Sequence, residues 1–449
     1  MKSLSFSRRD FLKLAGAAAG GLVLVSCGGG GSGGDQIRIM VDSWALAYAP
    51  FQAMAKKYNE LHSGVNIKVE ASPGGWMTKV IGQIRSNELL WSAAGVMSSF
   101  NDLAAWVQID LIQPIDDYIA ASTEEGAGKY LTDMLPNVRE DQSYDGKVYG
   151  IPFSLENITY QWNTEWFGKA GISQAPKTWQ ELYDYCKKVK DTMASEGNTE
   201  TYALCFDLGH LNRNLGTLFY SISDHPFDEE GLLNWDTPEM RESLQFMRKL
   251  SRDGLTPPNC GEGLEIVDMW TRGRAASLYS CSSRGVWAQK DLGFDKVTTS
   301  QVPTGDGEKH SGTVFWGNSV CILNQAPNAQ QALDFLIYAS GPQNTEWQKT
   351  IIEAGTSPAF GSVYTDLIEG DPDLQPYRWM SEIRDQVEVS ALSPKNYFYQ
   401  IQNEAWNRHR ADYLKDDSTM TEDELIQKVY ESIREIQETV KESVGTITP

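Results

Sequence analysis

An α/β fold is predicted, and three observations carry the prediction. Near the start of the chain, two alternating apolar segments flank an amphipathic one, in the order strand, helix, strand. Later segments place helix-capping residues in front of apolar side chains at helical spacing. The composition is globular, with 41% hydrophobic and 22% charged residues, which argues against a disordered acidic tail or a coiled coil. A length of 449 residues leaves room for two or three domains.

The first strand is Gln36 to Asp42, where apolar and polar residues alternate. Pro50 to His62 reads as a helix with Phe51, Met54, Ala55 and Tyr58 on one face. Asn66 to Glu70 alternates again, with Ile67 and Val69 inward. This order suggests a parallel or mixed sheet flanked by helices, whose ligands sit at the carboxyl ends of strands. Thr178 and Glu181 form a capping-box pattern that opens a helix with Trp179, Leu182, Tyr183, Cys186 and Val189 on one stripe. Thr237-Pro238 opens another, with Met240, Leu244, Met247 and Leu250 inward and Asp253-Gly254 at its end. Thr421 to Glu424 caps a last long helix through Leu425, Val429, Ile433, Ile436 and Val440.

Charge and cysteine usage exclude several function classes. The net charge is −21. That opposes a nucleic-acid groove, which needs clustered Lys and Arg, and adhesion to an anionic membrane. Five His and six Cys with no CxxC pair leave no zinc ribbon or thioredoxin-type centre. No HExxH or GxxxxGK[ST] pattern is present, so neither a metal nor a cofactor is expected.

The N-terminus reads as an address. Ser7-Arg8-Arg9-Asp10-Phe11-Leu12-Lys13 matches the twin-arginine export motif, and the apolar stretch Leu14 to Val25 follows. That stretch falls short of the ~20 residues a membrane span needs. Leu24-Val25-Ser26-Cys27 resembles a lipobox, which marks Cys27 for lipidation and residues 1–26 for removal. Removal takes away four basic and one acidic residue and leaves a charge of −24. Residues 27–34 are a Gly/Ser tether. Of the remaining cysteines, Cys186 is expected in the core, and a Cys260–Cys281 bridge is one open alternative.

Asp145 to Phe153 contains Gly146-Lys147-Val148-Tyr149-Gly150-Ile151-Pro152 and resembles the hinge segment of the family 1 extracellular solute-binding proteins, the receptors of sugar ABC importers. Trp162 to Ile172, Pro176 to Leu182, Trp270 to Ala276, Val302 to Gly305, Gly317 to Leu323 and Asn328 to Ala339 continue the resemblance in the family's order. It implies a periplasmic-binding-protein fold like that of the maltose-binding branch: two α/β lobes joined by hinge segments, with ligand clamped between them. Lobe one is expected at 35–150 plus 300–350, and lobe two at 151–299 plus 351–449. A hinge around Gly150-Ile151-Pro152 is expected to let the lobes close on ligand. The implied partners are a sugar or oligosaccharide, the permease subunits of an ABC importer, and the membrane through a lipid on Cys27. A monomer is expected.

All 14 Trp lie in the mature chain. A rigid indole covers the apolar face of a sugar, and carboxylates and amides serve its hydroxyl rim. Trp44, Trp76, Trp287 and Trp316 each sit beside Gly, Ser, Pro or Asn near an expected strand end. Trp287 follows Ser282-Ser283-Arg284-Gly285-Val286, which resembles a family loop whose Trp stacks on sugar. Glu156 lies four residues after Pro152, where the maltose-binding branch has a Glu that meets sugar hydroxyls. Asp42, Asn101, Asp102 and Asn318 are further rim candidates, and Arg284 is a donor to a hydroxyl or a partner for the acidic field. Trp179 and Trp270, in helical patterns, are assigned to the core. Two other functions remain open at this point. An acidic, Trp-rich cleft also suits a secreted glycosidase, and the same scaffold suits a polyamine.

Overall fold

The computed structural model describes residues 36–445, apart from 43–46, 73–75, 97–98, 207–208, 258–263, 306–312, 393 and 395–398. The export signal, Cys27, the tether, Trp44 and Cys260 lie outside the described residues.

The N-terminal layer follows the expected β-α-β order. Strand β1 (Gln36–Val41) pairs in parallel with β2 (Asn66–Ala71), and α1 (Tyr48–Leu61) connects them. Alternation along β1 sends Ile37, Ile39 and Val41 to one side of the sheet, where they meet Phe51 and Leu336. Met40 points to the other side, against Val80 and Trp91. Both faces of this sheet are therefore covered, as a sheet with parallel strands requires. The helices α2 (Trp76–Ser86) and α3 (Ser99–Gln108) flank β3 (Ala93–Val96), which also pairs with β1 in parallel.

The centre of the molecule is β4 (Gly150–Asn163), fourteen residues that are all buried. Its first half pairs antiparallel with β8 (Phe315–Ile322), which joins it to β3. Its second half pairs with β6 (Ser277–Cys281) from Ile158 and with β7 (Val297–Ser300) from Tyr160. Short β5 (Cys205–Phe206) completes the sheet, in the order β2-β1-β3-β8-β4-β6-β5 with β7 also on β4. The change of partners falls at Asn157–Ile158, five residues beyond Pro152 and outside the segment expected to be the hinge.

Pro152 has its own local consequence. It lacks an N–H for the ladder, and the register slips beside it: Asn318 faces Ser154 and Ser319 faces Pro152, which leaves Phe153 as an extra residue. The freed carbonyl of Phe153 accepts a hydrogen bond of 3.0 Å from Trp347 Nε1. Leu155 exchanges both backbone hydrogen bonds with Ser357, at 2.8 and 2.9 Å. A third chain segment is thereby stitched to β4.

Two apolar cores meet along this strand. Leu155 belongs to the first, with Phe51, Val320 and Leu336, and Ile158 to the second, with Leu182, Trp235 and Leu278. The expected boundary at residue 350 is corrected here. Helix α8 (Thr345–Glu353) and helix α9 (Trp379–Val389) contribute Ile351, Ile352, Ile383 and Val387 to the first core. The chain reaches the second core only afterwards: Ala391 pairs with Val314, and the final helices α10 (Tyr399–Leu414) and α11 (Glu422–Gly445) supply Trp406, Leu425 and Val429. The reason is apolar area. The bulge carbonyl and the faces of Phe51 and Phe153 hold Trp347, with ring centroids 4.5 and 6.2 Å away, and the chain after Trp347 stays with it.

The cap signals form as their side chains dictate. Thr178 Oγ1 accepts from Glu181 N at 3.1 Å, while Glu181 accepts from Lys177 N at 2.7 Å. Thr421 and Glu424 make the reciprocal pair at 2.8 and 3.2 Å. Thr237 accepts from Met240 N at 3.2 Å ahead of Pro238. Cys186, Trp179 and Trp270 are buried, and burial pushes the Cys186 thiol up to about 12.

Gly355 makes a close approach between the first core and the helix α6 (Ser282–Leu292). Its φ is +87°, and a Cβ there would lie 2.8 Å from Ser283 Cα and 2.8 Å from Val286 Cγ2. Gly355→Ala should therefore destabilise the fold by more than the ~1–2 kcal/mol of a left-handed alanine, read as a lowered urea midpoint. An unchanged midpoint would mean that the two segments separate without cost.

Candidate functional site

The site is built where β4 hands over its partners. Glu156 lies on β4 just before the handover and is 5% exposed. Helix α6 begins directly after β6, so its first turn abuts Glu156. Ser283 Oγ donates to Glu156 Oε1 at 2.9 Å, and the Ser283 backbone also hydrogen-bonds the carboxylate. A carboxylate at a helix N-terminus meets unsatisfied N–H groups and the positive end of the dipole. Glu156 Oε2 is buried and has no hydrogen-bond partner among the described residues.

One residue further along, Arg284 turns its guanidinium over the Trp287 ring, 3.9 Å from the centroid. The i, i+3 spacing on a helix brings the two together. Trp270 Nε1 donates to the Arg284 carbonyl at 3.1 Å and fixes this turn from behind. Arg284 Nε and Nη1 are buried without an acceptor among the described residues. Burial raises the Glu156 pKa above its ordinary value. The charge of Arg284, the Ser283 hydroxyl and the more distant Arg213 pull it the other way.

The other expected site residues separate into groups. Trp316 pairs with Glu156 in register on β8, and its side chain lies outside the described residues, as do those of Asn101 and Asp102 on α3. Asp42 is half-buried at the end of β1. Trp76 is half-buried and packs edge-on against Trp106, 5.3 Å between centroids, in the cluster of Val80 and Trp91. It packs on an apolar layer there, and ligand contact by Trp76 stays a proposal. Asn318 is corrected: it is 1% exposed, and its Nδ2 donates to Ser154 Oγ at 3.0 Å, a cross-strand tie. One face of Trp287 is covered by Arg284, so a ligand ring is not the first group that this face meets. Glu156, Arg284 and Trp287 are thus the expected residues that the structure joins. Ser283 and Arg213 were not among the expected contacts. The Ser282-Ser283 pair that opens α6 is the sequence feature that could have pointed to the former. Arg213, on a short turn of helix at Leu211–Arg213, carries none.

A groove of about 660 Å³ between α1 and β2, lined by Tyr48, Gln52, Asn59 and Trp91, lies at the β2 edge of the sheet, whereas this site is on the interior strand β4. Its Glu70 is tied up by Arg38, Lys68 and Trp91, so it offers less chemistry than the Glu156 junction despite its size. No group of metal-binding side chains occurs among the described residues, and none of their helices is long and apolar enough to cross a membrane.

Residues 53–376 match the family described as bacterial extracellular solute-binding protein. The chain belongs to that family. This solute-binding protein is 25% identical over 240 residues to the ABC transporter periplasmic-binding protein YcjN of Escherichia coli, covering 52% of each chain. It is 22% identical over 307 residues to an arabinooligosaccharide-binding protein of Halalkalibacterium halodurans, covering 64% of this chain and 66% of that one. Its fold superposes on maltose-bound MalE3 of T. maritima with a TM-score of 0.70 at 15% identity, over 90% of this chain and 100% of the other. Family membership makes it an extracytoplasmic binding protein and not an enzyme.

The buried carboxylate of this solute-binding protein gives a signed prediction. The Glu156 pKa is raised in the native state, so the native protein binds that proton more tightly than the unfolded chain. The group costs nothing below the ordinary carboxylate value, and stability declines as pH rises from there through the raised native value. Glu156→Gln keeps an acceptor for Ser283 and removes the charge. It should raise the melting temperature of the ligand-free protein at neutral pH and flatten this pH dependence in calorimetry. A lower melting temperature at every pH would assign the carboxylate to holding the fold.

Proposed function

We propose that this protein is the receptor of an ABC importer, which captures a sugar or oligosaccharide between its two lobes by closure and delivers it to the membrane permease. The observation that carries this reading is the Glu156–Arg284–Trp287 group at the junction of the two cores, with carboxylate, guanidinium and indole side by side. An indole and a rim of charged hydrogen-bonding groups suit a saccharide. The names of the YcjN and arabinooligosaccharide-binding relatives support the same class. Trp44, Asp102 and Trp316 remain proposed contacts from the first lobe and β8.

The rival functions fit less well. Glycoside hydrolysis needs two carboxylates ~5–9.5 Å apart, whereas the charges acting on Glu156 are those of Arg284 and Arg213. A polyamine would meet the same cations. Export by the twin-arginine route and lipidation of Cys27 complete the proposal: a receptor tethered by residues 27–34, acting as a monomer just outside the membrane.

Calorimetric titration of the mature protein with mono- and oligosaccharides, with spermidine as a competitor class, tests the reading. A saccharide should bind, and Trp287→Ala should weaken it roughly thirtyfold, the ~2 kcal/mol typical of a buried aromatic anchor. Binding of spermidine in place of every saccharide would overturn the proposal. Separately, Cys27→Ser should move the protein from the membrane fraction to the soluble fraction of fractionated cells, and continued sedimentation with membranes would dismiss the lipid anchor.

A further inference from the structure

The cation at the site asks for more than a neutral sugar supplies. Arg284 has two buried nitrogens, Nε and Nη1, with no acceptor among the described residues, and its guanidinium plane is held by the Trp287 face at 3.9 Å. A guanidinium so held is preorganised, because it cannot swing to another partner without leaving the indole. Glu156, on which its charge acts, is bonded by Ser283 instead, and no ion pair joins Glu156 to Arg284 among the described residues. Two opposite charges therefore stand close, each with an orphaned buried atom facing no protein partner. Buried polar groups are ordinarily satisfied, and each one left open costs stability. A role confined to the fold would have closed the pair into a salt bridge.

The electrostatics of the pair are unequal. Burial disfavours the charged form of Glu156, while an arginine stays protonated in any protein site. Arg213 adds a second positive charge near enough to act on Glu156. These cations stand inside a chain whose formal charge is −21. A general field of that sign repels anions, and a fixed guanidinium at the junction offsets that repulsion at one place only.

Resting on the saccharide reading above, we propose that the ligand is a sugar acid: its carboxylate accepts from the orphaned N–H groups of Arg284, and a hydroxyl of the same saccharide donates to Glu156 Oε2. The arrangement neutralises the uncompensated guanidinium and satisfies the open carboxylate oxygen together. A neutral sugar satisfies the hydrogen bonds but leaves the charge buried. A cationic ligand satisfies neither arginine nitrogen.

The test is a titration of the mature protein with galacturonate, digalacturonate and glucuronate against galactose, digalactose, glucose and maltose. At least one uronate should bind ten times or more as tightly as its neutral counterpart. Arg284→Gln should weaken that uronate roughly ten- to a hundredfold, the range of a hydrogen bond to a charged group, and weaken its neutral counterpart by a smaller factor, because only the uronate loses a charge pair. Arg284→Lys, which keeps the charge and loses the planar donor set, should fall between them, and it serves as the reading if the Gln variant does not fold. Neutral sugars binding as tightly as uronates, or an Arg284→Gln variant that loses both alike, would overturn the sugar-acid inference and leave saccharide capture standing. No binding by either series at millimolar concentration, with spermidine bound instead, would bring down the saccharide reading itself.

Discussion

The two lobes share β4, and every one of its fourteen residues is buried. A buried strand must find partners for all its backbone N–H and C=O groups. β4 finds them in three places: on β8 in its first half, on β6 and β7 in its second, and on Ser357 at Leu155. The partition of the chain into two cores follows from that division. Leu155 and Ile158, three residues apart, anchor different cores, and the strand between them carries the Glu156 carboxylate.

The same division explains why the candidate site is where it is. At the handover, β8 ends as a partner and β6 begins, and β6 turns at once into α6. The first turn of that helix is thereby set against β4, and its Ser283 becomes the donor to Glu156. Gly355 brings the first core up to the back of the same turn, closer than any side chain would allow. Arg284 and Trp287 then project from a turn held on one side by Gly355 and on another by the Trp270 indole. Rigid elements fix the charged pair, which is the condition for strong electrostatic recognition in a site with little water.

Much of the local structure was legible because its causes are local. The faces of α1 and of the capped helices depend on residue spacing, and the threonine caps depend on one side chain and the next turn. The resemblance to the solute-binding family was legible for the same reason, in short segments such as Gly146 to Pro152. The site was legible in part. Glu156, Arg284 and Trp287 could be named, whereas Trp76, which packs against Trp106, and Asn318, which ties Ser154, were named on local grounds alone. A tryptophan near a strand end looks alike in sequence whether it faces a cleft or another indole.

The sequence by itself determined the α/β class, the caps, the strand and helix faces and the acidic charge, because these follow from spacing and from side-chain chemistry within a few residues. Tertiary structure alone decided that residues 351–389 join the first core, that Phe153 is extruded as a bulge with its carbonyl given to Trp347, and that the β4 handover falls at Asn157–Ile158. It also decided that Ser283 holds Glu156, with no ion pair from that carboxylate to Arg284 among the described residues. Each of these depends on contact between segments more than a hundred residues apart, where the competition for a carbonyl, an apolar surface or a carboxylate is settled by which groups can reach it, and spacing along the chain carries no record of that competition.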